Sequence, residues 1–441
     1  MSGLIVTTEY GNLEGIVSGG CRCFLGVPFA KAPLGDLAFK HPVKPEPWDG
    51  VYSAVRGKAN PLQGHGHKEY KVTDRDCLYL NVFVPETEAE EKLPVMVWVF
   101  GGSYCTGGTG LKSADSDDLE YDMTRFARDT GTIVVTFNYR LNMEGFLNLS
   151  YIDPVYEMNN GLYDQIAALE FVRSNIGAFG GDDKNITVFG QSAGAACILA
   201  LMTHPEAAPL FDKAIVQSAC VDSFWNIEES RKLTELFLKY IGIGKDDIAK
   251  LKNVSAQEVF DAAHRLKKHV FSGGDVRCAF SPVVDGVTIK DYPSKLVSDC
   301  TKPLLMGTNK NEANIFVNDI PAIAMPFVAR KFHLTPEHGK GARERYSDQA
   351  TDFIYKTPMG RITSSYKGPV WTYEYTYQTP QIKASGAGCF HASELPVLLA
   401  QDLGISDVND PESEKTGNLM RSIWGEFART GKCGWEGCRT I

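Results

Sequence analysis

The run Phe179-Gly-Gly-Asp-Asp-Lys-Asn-Ile-Thr-Val-Phe-Gly-Gln-Ser-Ala-Gly194 constrains the fold of this chain more than any other segment. It sets Gly190-Gln191-Ser192-Ala193-Gly194 directly after a short β-branched stretch and directly before an Ala-rich one, so a strand must turn into a helix at Ser192. A serine on so sharp a turn takes a strained backbone conformation that holds its hydroxyl clear of the sheet. Side chains at the flanking positions Gly190 and Gly194 would collide with the neighbouring strand and helix. Among 42 glycines the bare pattern could arise by chance, and its strand-to-helix context is what gives it weight. The turn has the form of a nucleophile elbow.

The surrounding pattern says what kind of sheet carries that elbow. Short alternating segments at Leu4–Thr8, Leu13–Val17, Cys23–Val27 and Leu78–Val84 predict an antiparallel edge. From Pro94 onward the apolar runs become continuous: Val95–Phe100, Ile133–Phe137, Ile186–Phe189, Ala214–Val216, Pro303–Met306 and Val370–Tyr377. Strands of that kind are covered on both faces by helices, which predicts a central, mostly parallel, doubly wound α/β sheet. Leu162, Ile166, Leu169 and Val172 recur at helical spacing within Gly161–Asn175. Regions 226–300 and 315–365 fit the sheet poorly and carry helical patterns with Lys and Glu. They are expected to form a helical cap over the strand ends, where ligand sites of open α/β sheets lie.

Composition narrows the partners. With 43% hydrophobic and 11% aromatic residues over 441 positions and no linker-like stretch or repeat, residues 1–441 are expected to fold as one unit. A net charge of -9 argues against nucleic acid or anionic membrane surfaces. No run approaches the roughly 18 apolar residues of a membrane span, and Met1-Ser-Gly-Leu-Ile-Val-Thr-Thr lacks the pattern of a signal peptide. The expected location is cytoplasmic, or that of a mature form whose leader has been removed. The eleven cysteines lack paired CxxC spacing and read as free thiols. Cys21 with Cys23, and Cys433 with Cys438, have no histidines spaced beside them for a metal, and His65-Gly-His67 reads as a solvated loop. No metal or cofactor is expected, and oligomeric state is not legible.

A serine hydroxyl is a weak nucleophile at neutral pH, so Ser192 needs a base, and the base needs an acid to fix its tautomer. In this architecture the chain order is serine, acid, histidine. Of His204, His264, His269, His333, His338 and His391, the last stands out, within Gly386-Ala-Gly-Cys-Phe-His-Ala-Ser-Glu-Leu395 after the last strong strand. Glu312, in Gly307-Thr-Asn-Lys-Asn-Glu312, is the favoured acid. Its rival Asp285 precedes a glycine and looks like a turn residue. The loop Phe100-Gly101-Gly102-Ser103-Tyr104 follows an apolar strand where backbone donors for an oxyanion belong.

These residues, with others, resemble the type-B carboxylesterase family, which includes cholinesterases and bacterial para-nitrobenzyl esterases. The similarity runs through Phe24-Leu-Gly-Val-Pro-Phe-Ala30, Asp76-Cys-Leu-Tyr-Leu-Asn81, Asn138-Tyr-Arg140, Gly145-Phe-Leu147, Gly161-Leu-Tyr-Asp-Gln165, the elbow and Trp424-Gly-Glu-Phe-Ala-Arg-Thr-Gly431. It implies the α/β-hydrolase fold. It also implies Ser192 as nucleophile, Glu312 as acid and His391 as base, with an oxyanion hole from the backbone N–H groups of Gly102, Ser103 and Ala193. By the same resemblance Ser218 supports the histidine region, Trp225 lines an acyl pocket, and Tyr104 and Gln191 border the substrate. The activity implied is hydrolysis of small carboxylic esters of short to medium acyl or aryl type through an acyl-enzyme. A lipase acting on longer chains, an amidase or carbamate hydrolase, and a cholinesterase-like binding protein without catalysis are the alternatives.

Departures from the family pattern refine this. The third glycine of the oxyanion loop is Ser103, and the glutamate before the nucleophile is Gln191. No tryptophan lies in Pro61–Asp76, so neither the aromatic face nor the negative charge that suits a quaternary ammonium substrate is present there. The family's arginine and glutamate that pair with each other are Ala38 and Arg75 here, a joint change that avoids a stranded charge. Cys77 lacks the partner it has in secreted relatives and is expected to be a free thiol. Cys105, Cys197 and Cys389, near the oxyanion loop, elbow and base, could admit inhibition by bulky thiol reagents, though buried inert thiols are the simpler expectation.

Overall fold

A computed structural model describes residues 4–64, 72–87, 91–273, 275–318 and 342–441. Its centre is a 12-stranded mixed sheet. In chain order the strands are Leu4–Thr8 (β1), Gly11–Ser18 (β2), Cys21–Pro28 (β3), Val51–Ser53 (β4), Tyr79–Pro85 (β5), Leu93–Val99 (β6), Ile133–Phe137 (β7), Gly181–Gln191 (β8), Lys213–Gln217 (β9), Leu304–Asn309 (β10), Val370–Tyr375 (β11) and Cys438–Thr440 (β12). They lie in the order β1-β2-β3-β5-β7-β6-β8-β9-β10-β11-β12, with β4 beside β2. Pairing is antiparallel from β1 through β3 and β5 to β7, and parallel from β7 to β12.

Burial follows the two strand patterns. β1 alternates between exposed and buried positions, as a strand with one wet face must. In β6 the run Val95-Met-Val-Trp-Val99 is wholly buried, because helices cover both sides. Helices Thr124–Thr130 (α1) and Asn160–Asn175 (α2), the helix Ala193–Thr203 (α3) that follows the elbow, and the terminal helix Pro411–Thr430 supply the cover. In α2 the predicted stripe of Leu162, Ile166, Leu169 and Val172 is buried. β4 and β12 are absent from the pattern-based prediction. Each is only three residues long, too short for alternation to register.

The two poorly patterned regions form helices outside the sheet. In the first, Ile227–Ile241 (α4) packs on Ala256–Gly273 (α5). Helix α4 begins with a capping box in which the Asn226 side chain accepts from Glu229 N and the Glu229 carboxylate accepts from Asn226 N. In the second, Ala342–Thr351 (α6) and Thr357–Ser365 (α7) are joined by a π-turn at Asp352–Lys356. The terminal helix Pro411–Thr430 is α8; it packs on α1, β6 and β8. Residues His65, His67, His333 and His338 lie outside the described residues, as do positions 319–341 of the second cap region.

Two of the separate sequence blocks meet in the buried interior. Arg140 and Asp164 form a bidentate ion pair, Nε to Oδ2 at 2.8 Å and Nη2 to Oδ1 at 2.7 Å, and both side chains are almost fully excluded from solvent. Removing one partner would leave the other charge buried alone, a cost of roughly 3–5 kcal/mol. Arg75, which stands where the family has the glutamate of its arginine–glutamate pair, has a partner of its own. It forms an ion pair with Glu144 at 2.7 Å, and its Nη2 donates to Val254 O just ahead of α5.

Candidate active site

Apart from Trp225 and His391, every functional residue singled out from the sequence lies at or just beyond the C-terminal end of a parallel strand. Ser192 directly follows β8 with φ 58° and ψ -122°, and its N–H donates to Gln217 O on β9 at 2.9 Å. The strain is forced by close packing. A Cβ at Gly194 would stand 2.1 Å from Val99 O and 2.5 Å from Phe100 O, inside any allowed contact. Only glycine lets α3 start so near β6.

The loop Gly101-Gly102-Ser103-Tyr104 follows β6, the neighbour of β8. Gly102 has φ 107°, and a Cβ there would meet Thr106 O at 1.9 Å. Ser103 and Tyr104 also adopt positive φ, 55° and 59°, which costs a non-glycine residue about 1 kcal/mol. The loop is pinned from both sides. Gln63 brackets Gly107, accepting from its N–H at 2.9 Å and donating to its carbonyl at 2.6 Å, while Asn142 Nδ2 donates to Cys105 O at 2.8 Å. Among the described residues the N–H groups of Gly102, Ser103 and Ala193 have no intramolecular acceptor. Three unspent donors beside one serine are what a developing oxyanion requires.

Glu312 lies on the loop after β10 and meets His391, which follows β11 by way of the short helix Pro380–Ser385. His391 Nδ1 lies 2.7 Å from Glu312 Oε2. A carboxylate can only accept, so the ring proton sits on Nδ1. Glu312 is fully buried, and its second oxygen accepts from Asn309 N at 2.7 Å. The two loops are joined along their length: Asn311 N donates to Cys389 O at 3.0 Å, Asn314 Nδ2 to Ala387 O at 2.7 Å, and His391 N to Glu312 O at 3.2 Å. Asp285 lies elsewhere. Its Oδ1 accepts from Val287 N and Ile289 N, as a turn aspartate does.

On the other side of the imidazole, Nε2 faces Gln191 Nε2 at 3.2 Å. The rings of Tyr355 and Phe316, from the region 315–365, lie 5.1 and 5.7 Å from the His391 ring. Ser218 sits at the end of β9 with φ 52°, and its N–H donates to Gly307 O. Its hydroxyl is buried without a partner among the described residues. Support for the histidine loop comes instead from its neighbour Gln217, whose Nε2 approaches Glu394 Oε1 at 3.4 Å. Tyr104 is fully buried against Phe146. Trp225 is pinned by Arg277, whose guanidinium lies 3.7 Å from the ring centroid, and its Nε1 donates to Cys278 O.

Sequence reasoning missed Asn309 and Glu394. Asn309 Nδ2 donates to Glu394 Oε2 at 2.6 Å and to Phe390 O at 2.8 Å. Burial, reinforced by nearby Glu312, pushes the Glu394 carboxyl up to about 7. The spacing His391-Ala-Ser-Glu394, one helical turn, was the available signal. All eleven cysteines are free, Cys77 included. Burial raises the Cys105, Cys197 and Cys389 thiols to about 12, which makes them poor nucleophiles. No group of His, Cys, Asp and Glu among the described residues could hold a metal ion, and no helix among them is long and apolar enough to cross a membrane.

A serine elbow at the end of a central parallel strand, with an acid and a histidine on loops after the following strands, defines the α/β-hydrolase fold. Residues 2–333 match the model of the carboxylesterase family. The para-nitrobenzyl esterase of Bacillus subtilis (strain 168) is 34% identical, over 98% of this chain and 91% of that protein. Gut esterase 1 of Caenorhabditis elegans is 32% identical, over 98% and 85%. A solved PNB esterase structure superposes with a TM-score of 0.83 at 32% identity, covering 98% of this chain and 92% of that one. The chain belongs to the carboxylesterase family and is a carboxylic ester hydrolase.

Proposed function

We propose that the chain is a serine esterase acting on small esters of short to medium acyl or aryl type, with Ser192 as nucleophile, His391 as general base and Glu312 as its orienting acid. The observation that carries this reading is the 2.7 Å contact of His391 Nδ1 with buried Glu312, on loops next to the Ser192 elbow. Ser192 Oγ attacks the ester carbonyl as His391 Nε2 takes its proton. The oxyanion that forms is received by the N–H groups of Gly102, Ser103 and Ala193. Glu312 stays ionised against the imidazolium. His391 then returns the proton to the leaving alcohol, and water, activated by the same base, hydrolyses the acyl-enzyme. No step calls for a cofactor. Regions 226–300 and 315–365 act as the cap of a single catalytic unit, the second touching His391 through Tyr355 and Phe316. Eleven unpaired thiols favour a cytoplasmic setting.

One observation favours a second reading. Phe316, which neighbours His391, is 51% exposed, and Ile315 and Phe353 are exposed as well. An apolar rim of that kind suits longer acyl chains and a lipase. Hydrolysis of p-nitrophenyl esters from acetate to palmitate, beside the Ser192→Ala protein, separates the two. Serine-dependent turnover peaking at short chains is the expected result; a peak at long chains replaces esterase by lipase. Absence of turnover from the folded protein across the series overturns both.

A further inference from the structure

The 3.2 Å contact between Gln191 Nε2 and His391 Nε2 has a definite chemical sense. With the ring proton on Nδ1 facing Glu312, Nε2 of the neutral imidazole presents a lone pair, so the group opposite it is a donor, the amide N–H of Gln191. The other end of the carboxamide packs at the oxyanion loop: a Cβ built on Gly101 would stand 3.1 Å from Gln191 Oε1. Gln191 is 3% exposed, so water does not compete for this bond. Among the described residues no hydrogen bond joins Ser192 Oγ to His391. The lone pair that has to accept the serine proton is engaged by the residue next door.

We propose that Gln191 is a positioning residue that holds His391 in a blocked resting state, and that its amide has to release Nε2 before Ser192 couples to the base. This rests on the roles given to Ser192 and His391 above. The residue type matters, because a glutamate here would have no N–H to cap a neutral imidazole and would favour the protonated ring instead. The other titratable groups around His391 are Glu312 at Nδ1, Glu394 one turn further along, and the Tyr355 phenol. They are the same in wild type and in Gln191 variants, so a comparison between those proteins isolates the amide.

The test is kcat/KM for p-nitrophenyl acetate from about pH 5 to about pH 9 in wild type, Gln191→Ala and Gln191→Met, with Ser192→Ala as the background. Methionine keeps the volume without the N–H and serves where alanine leaves a void; thermal melts verify that each variant is folded. Both variants are expected to gain about fivefold on the alkaline plateau, the weight of one neutral hydrogen bond. The gain should vanish on the acid side, where the ring is protonated and the amide bond is missing from every protein. The acid limb therefore moves up by about 0.7 pH unit in the variants. An unchanged profile in folded Gln191→Met, or a loss that is uniform across pH, overturns the proposal. Turnover retained by Ser192→Ala would instead overturn the catalytic reading beneath it, and this proposal with it.

Discussion

Ser192 directly follows a parallel strand and His391 stands on a more distant loop tied to the one after β10, and the two are fixed by different physics. The serine is held by shape: Gly190 and Gly194 let β6, β8 and α3 approach until no side chain fits, and the backbone is driven into a conformation it would otherwise avoid. The histidine is held by bonds. Its loop is tied through Asn309, Asn311, Asn314 and Glu312, and those ties rest on a buried polar layer containing Glu394 and Gln217. Packing errors should therefore cripple the first half, and changes of protonation or hydrogen bonding the second.

The sharpest separation of chemistry from scaffold is Ser192→Ala. Its kcat is expected to fall by about 10⁴-fold or more while the melting temperature stays within about 2 °C, since the elbow does not depend on the hydroxyl. Gly194→Ala attacks the shape-held half and is expected to lose at least about 3 kcal/mol in urea unfolding, because its Cβ overlaps the Val99 and Phe100 carbonyls. Asn309→Ala attacks the bond-held half. It leaves the Glu394 carboxyl and Phe390 carbonyl short of a donor, for a loss of about 2 kcal/mol and about tenfold in kcat. If the two variants lost stability equally and neither touched kcat selectively, the contrast would fail.

Glu394→Gln sharpens the contrast through pH. The carboxyl is raised from 4.5 to about 7 on folding. Below pH 4.5 both states hold the proton and nothing is lost; as pH rises the unfolded chain ionises first, so the native state loses stability until the folded group has ionised, above about pH 7. The glutamine does not titrate, so the variant should exceed wild type by about 1–3 kcal/mol at pH 8 and match it near pH 4.5, read from urea midpoints. A constant difference across that window would assign the effect to packing. The smallest expected effect is Ser103→Gly. Relief of positive φ is offset by the greater freedom of glycine in the unfolded chain, leaving stability within about 0.5 kcal/mol and kcat/KM within about threefold.

The same division explains what could be read from the sequence. Glycine spacing, β-branched runs and the Ala-rich helix are local, so the sharp turn at Ser192, the glycine loop after β6 and most strands of the sheet are legible in the order of residues alone. Arg140 and Asp164 are visible as separate blocks, but only the fold brings them together. Asn309 and Glu394 look like ordinary polar residues, since what distinguishes them is a contact across 85 positions. Arg75 reads in the sequence only as the replacement for one member of a lost pair. Its actual partner, Glu144, could not be deduced from spacing, because the backbone between them passes through β5, β6 and β7.

The shelf beneath the serine has one more consequence. Gln217 accepts from Trp424 Nε1 across 207 positions and approaches Glu394 across 177. A nascent chain can thus build its elbow while the groups that brace the neighbouring strand are still unsynthesised. Hydrolytic competence should therefore wait until the helix Pro411–Thr430 has docked, long after the elbow itself has been made.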